Sequence, residues 1–458
     1  MSRMVFNDLL IEKDGIIKGP FGGDIKKSLF VAKSESTYKV YEQGVVLNKA
    51  LNYGDYYISE EHFKKSLSRF AVKSGDILMT GAGTLGEIFE VPEIYPKGVI
   101  NQALLRIRLN ESIIQKQYFK YFFRFFVKSV ISNINGDSVI PNLPPLTIIK
   151  AVPVDIPNKT TQQKIASVLS ALDDKIELNN KINAELEQMA KTIYDYWFVQ
   201  FDFPDANGKP YKSSGGKMVW NEELRREVPE GWEVKELRNY ISSNRGVSYS
   251  GKDIIGGGVP MVNLNSFNVN GTFKIEGTKL YCGEYNQSKV LRPYDLVMCN
   301  TQQTALDPQK DIIGKSFLIP DIFNTDIVSS HHVTTINLQN DNLKFYFNSL
   351  FNTGHFHRYI SGYATGTNIL GLNFEGVLSY KTEIPHDNLL SRYKGLLLNI
   401  EKQKSGIIKQ NQQLSQLRDW LLPMLMNGQV TVGQAYEQVE EVLGMAAEGE
   451  VGYERGRK

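Results

Sequence analysis

Apolar or seam-compatible residues recur with a strict 3,4 spacing at Leu169, Leu172, Ile176, Asn179, Asn183, Leu186, Ala190, Ile193 and Trp197. That is the heptad of a helix laid along a partner helix. The pattern returns 228 residues later as Leu397, Ile400, Lys404, Ile407, Asn411, Leu414, Arg418, Leu421 and Leu425, where Lys404 and Arg418 break the apolar seam. Asn183 and Asn411 hold the same position in the two copies, and a seam Asn costs stability but fixes register and partner. Ile156-Pro157 stands before the first copy and Ile384-Pro385 before the second. Thr160 followed by Gln163 reads as a capping box that starts the first helix. Running to about Phe198, that helix holds roughly 40 residues and spans about 60 Å at 1.5 Å per residue. A compact domain has no need of such a surface helix.

Each helical copy follows about 150 residues of another texture, rich in Gly, aromatics and short alternating runs that predict strands joined by turns. Asp76-Ile77-Leu78-Met79-Thr80 and Ala103-Leu104-Leu105-Arg106-Ile107-Arg108-Leu109 have counterparts, in order, in Asp295-Leu296-Val297-Met298-Cys299 and Val333-Thr334-Thr335-Ile336-Asn337-Leu338. Gly/Tyr-type openings recur as Gly19-Pro20-Phe21-Gly22-Gly23 and Arg245-Gly246-Val247-Ser248-Tyr249-Ser250. One scaffold used twice, with divergent loops, is the simplest reading. The expected layout is a first module at 1–158, a central helix at 159–200, a linker at 201–227, a second module at 228–386, a distal helix at 387–427 and a tail at 428–458. A short helix is expected after Gly428, and disorder from Glu448 onward.

Composition narrows the class without naming it. With 41% hydrophobic and 22% charged residues, the 458-residue chain reads as soluble, globular and multidomain. No apolar run is long enough to cross a membrane, and the N-terminus meets Asp8 before any signal-like core, so a cytoplasmic location is expected. Two cysteines, Cys282 and Cys299, suit a reducing compartment and exclude a disulfide framework. The net charge of +2 neither announces nor excludes nucleic acid.

Several motifs invite chemistry and fail its requirements. Gly81-Ala82-Gly83-Thr84-Leu85-Gly86 matches a dinucleotide fingerprint, but that needs a helix next, and Glu87 to Pro92 cannot supply one. Asn142-Leu143-Pro144-Pro145 lacks the aromatic with which a base-modifying enzyme stacks an extruded ring. Pro204-Asp205 with Glu233-Val234-Lys235 has loose nuclease spacing, yet Asp205 falls in the linker. His331-His332 with His355 and His357 has no carboxylate or cysteine at ligand spacing, and adjacent strand residues face opposite ways. No catalytic residue and no metal ligand is expected.

The duplicated order of Gly-Pro-Phe-Gly at 19–22, Asp-Ile-Leu-Met-Thr at 76–80, Pro229-Glu230-Gly231-Trp232 and the 228-shifted helices resembles the DNA specificity subunit of type I restriction–modification systems. The resemblance covers nearly the whole chain. It implies an α+β protein with two globular target-recognition domains, each followed by a long helix, the two helices pairing as an antiparallel coiled coil. Leu169, Leu172, Ile176, Asn183, Leu186, Ile193, Leu397, Ile400, Ile407, Asn411, Leu414 and Leu421 form the expected seam. The implied function is non-catalytic recognition of a bipartite, asymmetric duplex DNA target, directing adenine methylation and cleavage by two methyltransferase subunits and by restriction subunits. S-adenosylmethionine, ATP and Mg belong to those partners, with none bound by this chain.

Base reading needs donors and acceptors on loops that approach a groove. The candidates are Lys18, Lys26, Lys27, Arg69, Gln102 and Arg106 in the first module. In the second they are Arg245, Tyr249, Lys252, Asn263, Asn300, Gln302, Gln303, His331 and His332. Two other readings stand against this one. A self-sufficient methyltransferase or nuclease would need a nucleotide-binding α/β domain, which the strand and helix pattern does not offer. A coiled-coil protein scaffold would show no duplex preference in its assembled complex.

Overall fold

The computed structural model describes the backbone of residues 4–21, 23–81, 85–134, 144–303 and 311–454, and their side chains except 128, 129, 131–134, 303 and 445–454. The chain divides into two compact units, one of Met1–Ile176 with Gln413–Lys458 and one of Glu177–Gln412. Each long helix therefore gives one segment to each unit.

In the first unit the strands are β1 (Met4–Val5), β2 (Ile16–Lys18), β3 (Tyr38–Tyr41), β4 (Tyr57–Ile58), β5 (Ile77–Thr80), β6 (Ile88–Glu90), β7 (Gly98–Ile100), β8 (Leu104–Ile107) and β9 (Pro153–Val154). They build an antiparallel sheet β2-β8-β5-β6, a small sheet β4-β3-β7 in which β3 and β7 run parallel, and the pair β1-β9. The larger sheet is covered on both faces. Ile16, Ile77, Met79, Leu105 and Ile107 pack with Tyr118, Phe119, Phe123 and Phe126 of the helix Lys116–Ile134. Ile17, Leu78 and Leu104 face a second core with Tyr41 and Val45. Strands buried on both sides explain near-continuous apolar runs such as Ile-Leu-Met at 77–79.

In the second unit come β10 (Met218–Asn221), β11 (Arg226–Pro229), β12 (Glu233–Glu236), β13 (Ile241–Arg245), β14 (Val259–Val262), β15 (Lys279–Tyr281), β16 (Val290–Leu291) and β17 (Leu296–Cys299). They are followed by β18 (Thr301–Gln303), β19 (Ser316–Leu318), β20 (Ile327–Ser329), β21 (Val333–Leu338), β22 (Ala364–Thr365), β23 (Ile369–Leu372) and β24 (Lys381–Ile384). The main sheet, β13-β21-β17-β19, repeats the order of β2-β8-β5-β6, and β15-β14-β20-β16 repeats the parallel pair as β14 and β20. The pair β12-β24 repeats β1-β9. Registers agree as well. Lys18 stands opposite Leu105 as Arg245 stands opposite Thr334, and Thr80 opposite Leu104 as Cys299 opposite Val333. The second unit adds the sheet β18-β23-β22.

The central helix spans Lys159–Tyr194 and the distal one Asp387–Met426. The first begins one residue before the expected cap: Asn158 Oδ1 accepts the Thr161 N–H at 3.0 Å, so Asn158 and not Thr160 satisfies the free amides. In the first unit Leu169, Leu172, Leu414, Leu421 and Leu425 share one core, with Ile176 packed against it. In the second, Leu186, Leu397 and Ile400 do the same, joined by Ile193 and Ile407. Within that unit Asn179 meets Asn411 and Glu187 approaches Lys404, so one number rises as the other falls and the helices are antiparallel.

The polar seam positions are resolved by partners. Asn179 Nδ2 donates to Asn411 Oδ1 at 2.8 Å and to Gln410 Oε1 at 2.6 Å, and Asn411 Nδ2 donates to Asn180 Oδ1 at 2.9 Å. Asn411 thus pairs with Asn179 and Asn180, while Asn183 buries an Oδ1 that has no partner among the described residues. Lys404 lies 3.0 Å from Glu401 and 3.9 Å from Glu187, and Arg418 lies 2.7 Å from Asp173. The two residues that interrupt the apolar pattern therefore do so as ion pairs.

Two segments expected to be loose are built. Residues 201–227 are no plain linker: Phe201 and Phe203 are buried against Trp232, and β10 pairs with β11 in a hairpin. The tail carries a helix, Val432–Glu454, whose Ala435 and Val439 enter the first unit's core, and the expected disorder from Glu448 gives way to helix as far as Glu454. Residues 455–458 lie outside the described chain. No helix among the described residues is long and apolar enough to cross a membrane.

Candidate nucleic-acid interface

Antiparallel register brings three connections to one end of each main sheet: the exit of the first strand, the approach to the last, and the exit of the strand between them. In the first unit these carry Lys18 and Gly19, Asn101 to Ala103, and Gly81. The turn Asn101–Leu104 is closed by the Leu104 N–H donating to Asn101 O at 3.1 Å. Three more main-chain bonds tie it down: Asn101 N to Tyr41 O at 3.0 Å, Gly81 N to Ala103 O at 2.8 Å, and Gly19 N to Leu104 O at 2.9 Å. A side chain at Gly19 would set its Cβ 1.8 Å from Asn101 O, so only glycine permits this approach. Gln102 sits at the exposed apex of the turn.

The second unit holds the same turn with the same four bonds. Val333 N donates to Ser330 O at 2.9 Å, Ser330 N to Val262 O at 2.8 Å, Asn300 N to His332 O at 3.0 Å, and Gly246 N to Val333 O at 3.1 Å. A Cβ at Gly246 would lie 2.0 Å from Ser329 O. The apex here is His331-His332. Its rings lie 3.9 Å apart, because the pair belongs to a turn ahead of β21 and not to the strand; the expectation of opposite faces is corrected accordingly. Tyr249 lies 5.6 Å from His331 by ring centroids, and Lys279 lies 5.7 Å over the Tyr249 ring. Burial, then the neighbouring His331 and Lys279, lower the His332 pKa from its ordinary value.

The sequence candidates divide by what they touch. Lys18 and Gln102 come together in the first unit, and Arg245, Tyr249, His331 and His332 in the second. Lys26, Lys27 and Lys252 are exposed on the connections that follow β2 and β13. Arg69 is exposed but held by Asp14, with its Nε at 3.0 Å and Nη2 at 2.7 Å from Oδ1.

Four candidates are corrected to structural roles. Arg106 is 1% exposed and donates through Nη1 to the carbonyls of Arg69 at 2.9 Å and Ala71 at 2.6 Å. Burial and then the charge of Arg108 lower its pKa to about 10, which leaves it charged at neutral pH. Asn263 is buried and donates to Gly277 O at 2.7 Å. Asn300 is buried beneath the di-histidine turn, its Nδ2 donating to His331 O at 3.2 Å and Thr334 Oγ1 at 2.7 Å. Gln302 is buried with Oε1 accepting from Ile312 N at 2.7 Å and Ile313 N at 2.9 Å. The Gln303 side chain lies outside the described residues.

Three neighbours of the interface were not among the candidates. Phe21, 90% exposed, projects from the connection that leaves Lys18. Lys279 was hidden in a strand, and Lys289, whose Nζ donates to Arg245 O at 2.6 Å, in a short helical turn. Their only signal was charge or aromaticity beside a turn, which many surface residues share.

The decoys have plain structural accounts. Residues 82–84 of the Gly-rich segment lie outside the described chain, but a strand, β6, follows it. Of the Asn-Leu-Pro-Pro segment, 142 and 143 also lie outside. Asp205 closes a turn by accepting from the backbone of Asn207 and Lys209, both at 2.8 Å. Among the described residues no cluster of three or more His, Cys, Asp or Glu has metal-site geometry.

Residues 22–188 match the type I restriction modification DNA specificity domain. The MjaIX type I restriction enzyme specificity subunit of Methanocaldococcus jannaschii is 24% identical over 382 residues, 83% of each chain. The HindI specificity subunit of Haemophilus influenzae is 25% identical over 422 residues, 79% of this chain and 87% of its own. The crystal structure of an S subunit from M. genitalium aligns over 93% of this chain and 95% of that one, with 13% identity and a TM-score of 0.49. Residues 22–188 thus carry a match to the type I restriction modification DNA specificity domain, and most of the chain is similar to specificity subunits of type I restriction enzymes.

Proposed function

We propose that this chain reads a bipartite, asymmetric DNA sequence, one part per module, and hands that address to partner subunits that methylate adenine and cut. The observation that carries the proposal is the duplicated sheet end: one backbone frame, used twice, presenting Lys18 and Gln102 in one copy and Arg245, Tyr249, His331 and His332 in the other. Identical frames with different side chains suit two half-sites of different sequence. Cations fix position on phosphates, and the polar groups beside them face base edges.

The chain itself is a non-catalytic subunit. Two methyltransferase subunits and the restriction subunits complete the assembly, and S-adenosylmethionine, ATP and Mg sit on those partners. The test is to express the chain with its methyltransferase partner in a host lacking other adenine methylation, and to map methylated adenines by sequencing. A single split motif with unlike halves is the expected result. Methylation without a common motif, or methyl transfer by the purified chain alone, would refute the reading.

A further inference from the structure

The duplicated turn differs between the modules at one pair of residues in each. Residues 101–104 and 330–333 are held by four equivalent main-chain hydrogen bonds and by an equivalent glycine approach. The flanking cation is equivalent too, since Lys18 and Arg245 share a register on β2 and β13. At the apex the correspondence stops: Gln102-Ala103 in one module, His331-His332 in the other.

We infer that these two apex pairs are specificity determinants, each fixing one base position of its own half-site, while Lys18 and Arg245 serve the phosphate backbone alike in both. This rests on the reading of the chain as a DNA-recognition subunit and goes beyond it by naming the residues that decide the sequence. The Gln102 amide is exposed and makes no hydrogen bond to any described residue, so both its donor and its acceptor are open to a ligand. That combination matches the N6 and N7 groups of adenine in the major groove. The histidine pair differs in kind. The Nδ1 atoms of both His331 and His332 are buried with no partner among the described residues, so the half-buried rings meet a ligand through their opposite edge, Nε2. An imidazole N–H offers a donor to a base edge made of acceptors, which is the edge guanine presents through O6 and N7. Main-chain anchorage means the apex can change without loss of the turn.

The experiment exchanges the apex pairs in the assembled methyltransferase complex. One variant carries Gln102→His with Ala103→His, and the other His331→Gln with His332→Ala. Two single changes at half-exposed or exposed positions, Gln102→Glu and His331→Asn, guard against a folding defect. Methylated motifs are read by sequencing. Each variant is expected to change preference at one position of one half-site by about tenfold or more, the range of a lost base contact, with the other half-site untouched. An unchanged motif at normal methylation would overturn the inference. So would a uniform loss of methylation across all sequences by the single variants, which would mark the apex as a phosphate or structural contact. If the unmodified complex itself shows no motif, the failure belongs to the functional reading and not to the apex pair.

Discussion

The two main sheets share strand order, register and a turn at one end, yet each places its buried polar anchor differently. In the first module the polar support lies inside the sheet, where Arg106 ties β8 to the carbonyls of residues 69 and 71. The equivalent position on β21 is Thr335, since Leu78 faces Arg106 as Val297 faces Thr335. In the second module the support lies directly under the turn, in the Asn300 side chain; the register-equivalent residue of the first module is Gly81, which has no side chain to offer. What is common to both is main chain only. Side chains around the turn were free to diverge, and each module gained its own buried polar anchor.

The largest test of that contrast is Arg106→Ala. Removing a buried, hydrogen-bonded charge costs about 3–5 kcal/mol, and the loss should fall on the first module. Thr335→Ala should stay within about 0.5 kcal/mol. Urea unfolding with hydrogen exchange resolved by segment would show it, and equal effects at the two positions would break the comparison. Asn300→Ala comes next. It leaves the His331 carbonyl and Thr334 hydroxyl without their donor, a cost of about 1–3 kcal/mol, and methylation mapping should show the second half-site blurred and the first intact.

A smaller effect is expected at the shared cation. Lys18→Ala and Arg245→Ala should each weaken DNA binding by the complex equally for all sequences, and lower the slope of log K against log salt by about 0.9. Fluorescence anisotropy across a salt series measures this. A changed base preference in either variant would show that the cations read sequence after all.

The smallest effect is one of pH and belongs to the second module. Burial, His331 and Lys279 depress the His332 pKa in the folded chain, so below the ordinary histidine value of about 6.5 the unfolded chain binds more protons than the folded one. Stability therefore falls as pH drops from there toward the depressed value, and is unaffected above it. Hydrogen exchange at β21 should report a loss that β8 does not share, and His332→Gln should abolish it.

The sequence made the helices and the repeat legible because both are periodic. The 3,4 seam from Leu169 to Trp197 shows in the burial of Leu169, Leu172 and Leu186, and the paired runs at 76–80 and 295–299 became β5 and β17. Site residues were harder, because donor chemistry does not reveal direction. Arg106 sits between Leu105 and Ile107, and alternation would turn it outward from a half-buried sheet; this sheet is covered on both faces, so it turns into a second core. Asn263 and Asn300 lie on connections, where polar residues serve the backbone as often as a ligand, and Gln302, in β18, caps the backbone of the neighbouring 312–313 segment. Gln102 and the di-histidine pair were found only as donors near turns. Their equivalence needed the register of β8 and β21, which no spacing in the sequence defines because the intervening loops differ in length.

The glycines at 19 and 246 carry a consequence for how such a protein changes over generations. They let the main chain close the turn without help from the apex side chains, so, if the apex reads sequence as inferred, a codon change there rewrites the address without loosening the frame. If partner subunits take their address for methylation and cleavage from this chain, as proposed, both activities would then move to the new target together. Under that proposal a lineage would alter what it recognises in one mutational step, with no intermediate in which the protecting and the cutting machinery obey different instructions.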